Sequence, residues 1–319
     1  MARPFKRDFN FLKHRKIFFI VSALLIVISL AFVIFKGLNY GIEFIGGTSI
    51  DFKNTGEITI EEMREAFSRE NAEAPIIQTS VDPRTGANGF IVRVATTDAQ
   101  VASAYADAIA ASLGINSTDV EVTTIGPGWG AEVTRTSLIA FFVALFLIII
   151  YIAIRFEYKM GIVAVLTLIH DLIVIVGIYA IFAREVTPNV IAALLTIMGY
   201  SLYDTVVVFH RINDNQAATS RHSFMTVANH SINQVLMRTI NTALSTLIPV
   251  TAMLFFGGET LKDFAFAMAI GLILGSYSSI ALASPLYALW KQREPKFRKL
   301  AVKYGEGLDE FTIAEQLGD

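Results

Sequence analysis

Long apolar runs alternate with polar segments along the chain. Six runs reach spanning length, at 17–35, 137–154, 160–182, 189–209, 239–256 and 264–290. Each is close to the roughly 20 residues that an α-helix needs to cross about 30 Å of hydrocarbon. The pattern predicts a polytopic α-helical membrane protein with six transmembrane helices.

The first run follows a basic segment, as the apolar core of a signal peptide does. Its apolar core is longer than that of a signal peptide, and no small-residue cleavage site follows it. We therefore expect an uncleaved membrane anchor.

The basic residues of the short polar segments predict the orientation. They crowd the two ends of the chain, at Arg3, Lys6, Arg7, Lys13, Arg15 and Lys16, and at Lys291, Arg293, Lys296, Arg298, Lys299 and Lys303. Positive charge is retained on the cytoplasmic side, and six crossings return the chain to the side where it began. We expect both termini in the cytoplasm, with Arg155, Lys159, Arg211 and Arg221 in cytoplasmic turns. Apolar residues at helical spacing in 216–236 predict an interfacial helix before the fifth span.

Residues 36–136 form the only large polar segment between spans, and this orientation places it outside the cytoplasm. Strand patterns occur in "GGTSIDFK", "PIIQTSVD", "GFIVRVAT" and "VEVTTIG", and helix patterns in "TIEEMREAFSRE" and "TDAQVASAYADAIAASLG". Thr59 with Glu62 has the spacing of a capping box, and "PRTGANG" has the composition of a hairpin turn. The order β-α-β-β-α-β predicts a ferredoxin-like α+β domain. The predicted parts are 1–16 (basic N-terminus), 17–35 (first helix), 36–136 (outer domain), 137–290 (five-helix membrane region) and 291–319 (cytoplasmic tail).

Composition agrees with a membrane protein. Of 319 residues, 54% are hydrophobic and 17% are charged, whereas about a quarter of a soluble domain is charged. The absence of cysteine excludes disulfides, Fe–S clusters and thiolate chemistry. The outer segment has neither metal-ligand spacing nor a nucleophile motif, so we expect no metal and no cofactor. The basic clusters flank apolar runs, so topology explains them and nucleic acid is not an expected partner.

Ionisable residues inside the apolar runs are the candidate functional residues. Asp204 lies in the body of the fourth run, where a charge costs several kcal/mol unless it is paired or hydrated. Hydrocarbon favours the neutral carboxyl and a nearby arginine favours the carboxylate. With Arg238 at the start of the fifth span, this is the electrostatic setting of a proton carrier, although a structural contact between helices is the alternative. His170 and Asp171 form either a supporting polar network or a helix-packing hydrogen bond, and His210 has the position of an interfacial anchor.

Four stretches resemble the SecD/SecF family of accessory protein translocase subunits, and the resemblance covers nearly the whole chain. "GIEFIGGT" is similar to the family's Gly-Ile-Asp-Phe-x-Gly-Gly signature, and "LIHD", "GYSLYDTVVVFHRINDN" and "SINQVLMRTINTALSTL" resemble its other characteristic stretches. The matched signature residues are Glu43, Gly46 and Gly47. Asp204 and Arg238 match the family's proton-pathway carboxylate and arginine. Three positions depart from the pattern, because Glu43 replaces an aspartate, Tyr203 an asparagine and His210 an aspartate.

The resemblance implies a subunit of a translocase driven by proton-motive force, in the plasma membrane of a prokaryote and not an enzyme. The family belongs to the resistance-nodulation-division (RND) superfamily, whose transporters have two similar six-span halves. This chain has one half, so the resemblance implies SecD as its partner in the lipid bilayer. The SecYEG channel, YajC, YidC and the translocating preprotein are the wider neighbours that it implies.

Two other functions have sequence requirements of their own. A half-size RND-type exporter of small molecules or lipids requires an apolar pocket in a larger outer domain. A membrane enzyme such as an intramembrane protease requires a motif such as HExxH or GxGD, and neither occurs in the sequence.

Overall fold

The computed structural model describes residues 9–70, 72, 75–81, 85–218, 222–257 and 259–305. Several features of the sequence lie outside these residues: Arg3, Lys6, Arg7, Arg221, the middle of the predicted hairpin turn at 82–84 and the tail from 306 onward. The helices are α1 (Arg15–Phe35), α2 (Ile42–Ile45), α3 (Ile60–Arg69), α4 (Ala99–Leu113), α5 (Pro127–Arg155), α6 (Tyr158–Ile181), α7 (Pro188–Ala218), α8 (Phe224–Phe256), α9 (Glu259–Ser278), α10 (Ser284–Gln292) and α11 (Pro295–Tyr304). The strands are β1 (Asn39–Tyr40), β2 (Gly47–Phe52), β3 (Ile76–Val81), β4 (Asn88–Val94), β5 (Val120–Ile125) and β6 (Glu185–Val186).

Within the described part of the chain, six helices are long and apolar enough to cross a membrane, which confirms the predicted number. They span Leu12–Phe35, Gly128–Arg155, Tyr158–Ile181, Pro188–Ala217, Phe224–Phe256 and Leu261–Gln292. In α6, α7 and the α9–α10 stretch, 50–61% of the most apolar window is buried, against 6–11% in α1, α5 and α8. The bundle therefore has three inner helices and three helices with large apolar faces turned outward.

The segment before the fifth span differs from the predicted interfacial helix. α8 is continuous from Phe224 to Phe256, so residues 224–236 of this segment are the first part of the spanning helix itself, and residues 216–218 end α7. Its apolar residues Phe224, Ala228 and Ile232 pack in a core with Tyr287 and Phe297. Packing against protein, rather than against a membrane surface, explains the helical spacing seen in the sequence.

Small residues bring α7 and α9 close together at the centre of the bundle. A Cβ added at Gly271 would collide with Ile197, and one added at Gly275 would lie 3.0 Å from the Cβ of Ser201. Small residues at helix contacts allow such close approach in membrane proteins. The inner helices therefore pack at a distance that larger residues at Gly271 and Gly275 would prevent.

Between α1 and α5, the chain forms a small α+β unit in the order β2-α3-β3-β4-α4-β5. Its four strands form an antiparallel sheet in the spatial order β3-β4-β2-β5. α3 and α4 cover one face, where Phe52, Phe67 and Ile109 are fully buried. The capping box predicted at the start of α3 is present, since Thr59 Oγ1 accepts from Glu62 N while a Glu62 carboxylate oxygen accepts from Thr59 N.

Candidate functional site

Asp204 lies on α7 inside the bundle. Its side chain is 3% exposed, and its Oδ2 atom has no hydrogen-bond partner among the described residues. Leaving a buried acceptor unsatisfied costs free energy. One oxygen of the Asp204 carboxyl group is therefore buried without a hydrogen bond from the described part of the chain.

Arg238, the predicted partner of Asp204, contacts the neighbouring tyrosine instead. Its Nη2 atom donates to the Tyr203 hydroxyl at 2.6 Å, and its guanidinium carbon lies 5.6 Å from the ring centroid. Among the described ion pairs, none within 4.0 Å joins Arg238 to Asp204, although the two charges interact at longer range. The structure thus brings the two predicted residues to adjacent helices without direct contact, and Arg238 instead contacts Tyr203, where the chain departs from the family pattern.

His170 and Asp171 belong to a buried network that joins three helices. His170 Nδ1 and Asp171 Oδ1 are hydrogen-bonded at 2.9 Å. The other carboxylate oxygen of Asp171 accepts from Ser201 Oγ on α7 and from Ser278 Oγ on α9, both at 2.7 Å. None of the described hydrogen bonds links this network to the Asp204 carboxyl. The sequence does not single out these two serines, because serine is common in membrane helices and does not by itself indicate a polar network.

A π-helical turn at Ser279–Ala283 interrupts the sixth span beside Asp204. The Ser279 hydroxyl hydrogen-bonds the Thr205 hydroxyl at 2.8 Å and donates to Gly275 O at 2.8 Å. Such turns are rare and occur frequently at functional sites, where they re-aim backbone groups. The structure therefore places an irregular helix segment against the residue that follows Asp204.

Hydrogen bonds join the C-terminal end of α7 to the N-terminal part of α8, near His210. Gln234 Oε1 accepts from Arg211 Nε at 2.6 Å and from Asn215 Nδ2 at 2.7 Å. The same asparagine donates to Ser231 Oγ at 2.8 Å. These contacts account for the polar residues at the end of "GYSLYDTVVVFHRINDN" and the start of "SINQVLMRTINTALSTL". His210 is exposed there, with its ring centroid 5.4 Å from that of Phe156.

The signature after α1 forms the entry to the α+β unit. Glu43 lies in α2, which is followed by Gly46 with φ +77° and Gly47 with φ +124°. Both angles favour glycine. A Cβ at Gly47 would also lie 2.9 Å from the Val94 carbonyl oxygen, so the first residue of β2 has no room for a side chain. The Oε2 atom of Glu43 is buried and has no described hydrogen-bond partner.

Comparisons with known proteins agree with this architecture. The family description "Protein export membrane protein SecD/SecF, C-terminal" matches residues 105–293, and "SecD/SecF GG Motif" matches residues 31–53. The protein translocase subunit SecF of Streptomyces coelicolor is 32% identical over 98% of this chain and 85% of its own length. The SecF of Sebaldella termitidis is 35% identical over 96% of this chain and 100% of its own length.

Solved structures give the same result. The crystal structure of SecDF, a translocon-associated membrane protein from Thermus thermophilus, matches 90% of this chain with a TM-score of 0.82 and 33% identity. This chain spans 39% of that longer protein. The fold is that of a multi-pass cell-membrane protein of the protein-export type. The chain belongs to the SecD/SecF family.

Proposed function

We propose that this chain is a subunit of an accessory protein translocase that assists export of secreted proteins through the Sec channel, and that proton-motive force drives it. Relatives that match nearly the whole chain are named protein translocase subunits, which supports the first part. The buried, unsatisfied carboxyl of Asp204 supports the second. Ionisable residues within membrane spans are rare and often mark ion pathways and proton relays.

In the proposed cycle, Asp204 takes up a proton from outside and releases it inside. Tyr203 holds Arg238 beside the neutral carboxyl, and the guanidinium moves toward Asp204 when the proton leaves. The His170–Asp171 network holds α6, α7 and α9 together while α8 carries Arg238. The close packing of α7 on α9 would transmit the change to the rest of the bundle.

The energy of one proton limits this mechanism. An elementary charge crossing 100 mV is worth about 2.3 kcal/mol. Changing a two-state equilibrium from about 1:99 to 99:1 requires roughly 5.5 kcal/mol. We therefore expect a second contribution, from a pH gradient or from a titrating site in the partner.

The proposed topology places both termini in the cytoplasm and the α+β unit outside it, as a ferredoxin-like domain. The β-α-β-β-α-β order and the basic segments before the first and after the last span support this arrangement. Its parts are those predicted from the sequence, with boundaries at 16, 35, 136 and 290. In this orientation Arg238 lies toward the cytoplasmic end of α8, on the release side of the proton path.

The proposed partner is SecD, with the SecYEG channel, YajC, YidC and the preprotein as wider neighbours. α8 exposes the polar residues Arg238, Asn241 and Ser245 on a membrane-spanning face. Polar and charged side chains are costly in contact with lipid, so we expect a second six-helix protein to cover them. The Thermus SecDF protein, of which this chain spans 39%, supports a partner that supplies the other half.

The alternative, a half-size exporter of small molecules or lipids, has less support. A cavity of about 1080 Å³ lies between the α+β domain and the outer ends of the membrane helices. Charged residues such as Asp51, Lys53 and Arg184 line it, unlike the apolar pockets that bind drug-sized ligands.

The test is secretion in a strain depleted of the native subunit and complemented with Asp204→Asn. The amide is nearly isosteric with the protonated carboxyl but cannot release a proton. We expect secretion to be lost while the amount of complex in the membrane stays normal. Asp214→Asn, at an exposed position of the same helix, is the matched control. Normal secretion by Asp204→Asn at a normal level of complex would overturn the proton mechanism.

A further inference from the structure

The α+β domain meets the membrane helices at a small joint between β1 and β6. The two strands pair in parallel, with Asn39 opposite Glu185 and Tyr40 opposite Val186. Gly41 N extends the pairing by donating to the carbonyl oxygen of Val186 at 2.9 Å. The start of the domain is therefore tied to the short connection between α6 and α7.

Arg93 reaches this joint from the sheet of the domain. It lies on β4 between Val92 and Val94, which point into the core, so its side chain leaves the opposite face. The side chain is 5% exposed, and its Nη2 atom lies 2.8 Å from Glu185 Oε2. Nη1 donates to Asn39 Oδ1 at 3.3 Å and to the Tyr40 carbonyl oxygen at 3.4 Å. One buried guanidinium thus contacts both strands of the joint.

The side chain of Glu43 brings a second carboxylate to this joint. A Cβ added at Gly41 would collide with Glu43 Oε2 and would lie 3.0 Å from Glu185 Oε1, so both acidic side chains flank this glycine. Neither the buried Oε2 of Glu43 nor Nη2 of Arg93 has a described hydrogen-bond partner. The Nη2–Glu185 contact is an ion pair without an aligned hydrogen bond. One guanidinium therefore pairs with Glu185, whose carboxyl group lies close to that of Glu43, and its hydrogen-bonding capacity is not fully used.

Charge balance at such a site requires one proton. One arginine balances the charge of one carboxylate. A second ionised carboxylate close to the first is disfavoured, because the two like charges repel each other. We propose that Arg93, Glu185 and Glu43 form a proton-binding joint that positions the outer domain on the membrane bundle: it is closed when Glu185 holds a proton and opens when that proton leaves. The proposal rests on the proposed function, because the joint would transmit proton uptake to the domain that faces the exported chain.

The electrostatics of Glu185 support this inference. Burial raises the pKa of Glu185 to about 7. The nearby Arg93 acts against this rise and lowers the pKa, whereas the like charges of Glu43 and of Asp263 in α9 raise it. Arg184, a neighbouring cation, is paired with Asp263 at 3.4 Å, and Lys262 lines the same cavity as Glu43 and Glu185. An exposed glutamate has a much lower pKa, so closing the joint takes up a proton. Acidification of the outer side should therefore favour the closed joint.

The absence of cysteine from the chain allows a direct measurement of joint closure. Lys262 Nζ at the start of α9 donates to the Val81 carbonyl oxygen at the end of β3, at 3.4 Å, so cysteines at these two positions report contact between domain and bundle. The full chain in membranes with its partner would be treated with a short bifunctional maleimide. A pair at Ser49 and Thr123, opposite each other within the sheet, corrects for the pH dependence of the thiol reaction. We expect corrected cross-linking to rise several-fold as the outer pH falls through about 7.

Two conservative variants distinguish a proton-binding joint from a purely structural contact. In Glu43→Gln or Glu185→Gln the remaining carboxylate balances Arg93 without a proton. We expect cross-linking to stay high and independent of pH, while secretion falls because the joint no longer opens. A pH dependence that persists in both variants, or its absence in the parent, would overturn the proposal.

Charge exchange gives a second test. Arg93→Glu and Glu185→Arg should each lower cross-linking several-fold, and the double variant, which keeps two acids and one arginine, should restore most of it. Lys53→Glu, which breaks an exposed pair with Glu121 on the same sheet, is the control and should have no effect. A double variant that is no better than the single ones would contradict the pairing. These measurements are separate from Asp204→Asn, so the joint and the intramembrane proton mechanism can fail independently.

Discussion

The Nη2 atom of Arg238 donates a 2.6 Å hydrogen bond to the hydroxyl of Tyr203, the residue directly before Asp204. Consecutive residues of a helix point about 100° apart, so Tyr203 is largely exposed while Asp204 is buried. The arginine is therefore held next to the carboxyl without neutralising it. Such an arrangement keeps a positive charge available for the moment when Asp204 ionises.

The effect of a substitution at Arg238 on secretion should depend on the charge of the new side chain rather than on its size. Arg238→Met removes the cation that stabilises ionised Asp204, so we expect secretion driven by proton-motive force to be lost. Arg238→Lys keeps the charge but loses the planar fork, and we expect partial activity. The measurement is secretion by the complemented depletion strain at matched levels of complex. Equal defects in both variants would contradict a role for the charge.

Tyr203→Phe tests the tyrosine as a holder of Arg238. The change removes one partly exposed hydrogen bond, worth about 1 kcal/mol or less. We expect a small reduction in secretion, with unchanged stability. Tyr151→Phe is the matched control, since both tyrosines are 53% exposed. A complete loss of secretion in Tyr203→Phe would indicate that the hydroxyl itself carries the proton.

Asp171→Ala should act on stability rather than on proton coupling. The change leaves the Ser201 and Ser278 hydroxyls without their buried acceptor, at a cost on the order of 3 kcal/mol. We expect a lower melting temperature and less complex, with secretion falling in proportion. Thr196→Ala, which removes an exposed bond within α7, is the control for thermal unfolding in detergent. A normal melting temperature with lost secretion would instead assign Asp171 to the proton path.

Gly271→Ala should disturb the contact between α7 and α9. The added methyl group collides with Ile197, and overpacking of this kind costs typically 1–3 kcal/mol. At Gly199, on α7, an added Cβ meets no atom within 4 Å, so Gly199→Ala should be neutral or slightly stabilising. Thermal unfolding of the two variants compares them directly, and equal melting temperatures would contradict the close packing.

The pH dependence of stability should contain a contribution from Glu185. The folded pKa of about 7 lies above the ordinary glutamate value, so the folded state binds the extra proton between the two values. Stability conferred by this proton is present at acidic pH and is lost as the pH rises through about 7. We expect Glu185→Gln to flatten the melting-temperature profile in this window. Glu121→Gln, at an exposed position, should leave the profile unchanged.

The segments that sequence alone predicts are those set by local chemistry. The six spans follow from the length of apolar runs, and the start of α3 follows from Thr59 and Glu62, which are three residues apart. The ends of the spans are less predictable, because helices such as α5 and α8 begin at Pro127 and Phe224, well before the apolar runs that start at 137 and 239. Asp204 stands out from sequence because a carboxyl group in an apolar run has a high cost wherever the run packs.

Contacts between residues that are far apart in the sequence could be identified only from the tertiary structure. Sequence identifies Arg238 and Asp204 as the charged pair of the fourth and fifth spans, but the rotation of α8 against α7 decides that the arginine meets Tyr203. Arg93 looks like an ordinary strand residue, and only the pairing of β1 with β6 brings Glu185 to it. The spacing of the hydrophobic residues along a helix or strand determines which of its faces is buried. The identity of the facing atoms depends on how elements far apart in the chain pack, and no local pattern encodes it.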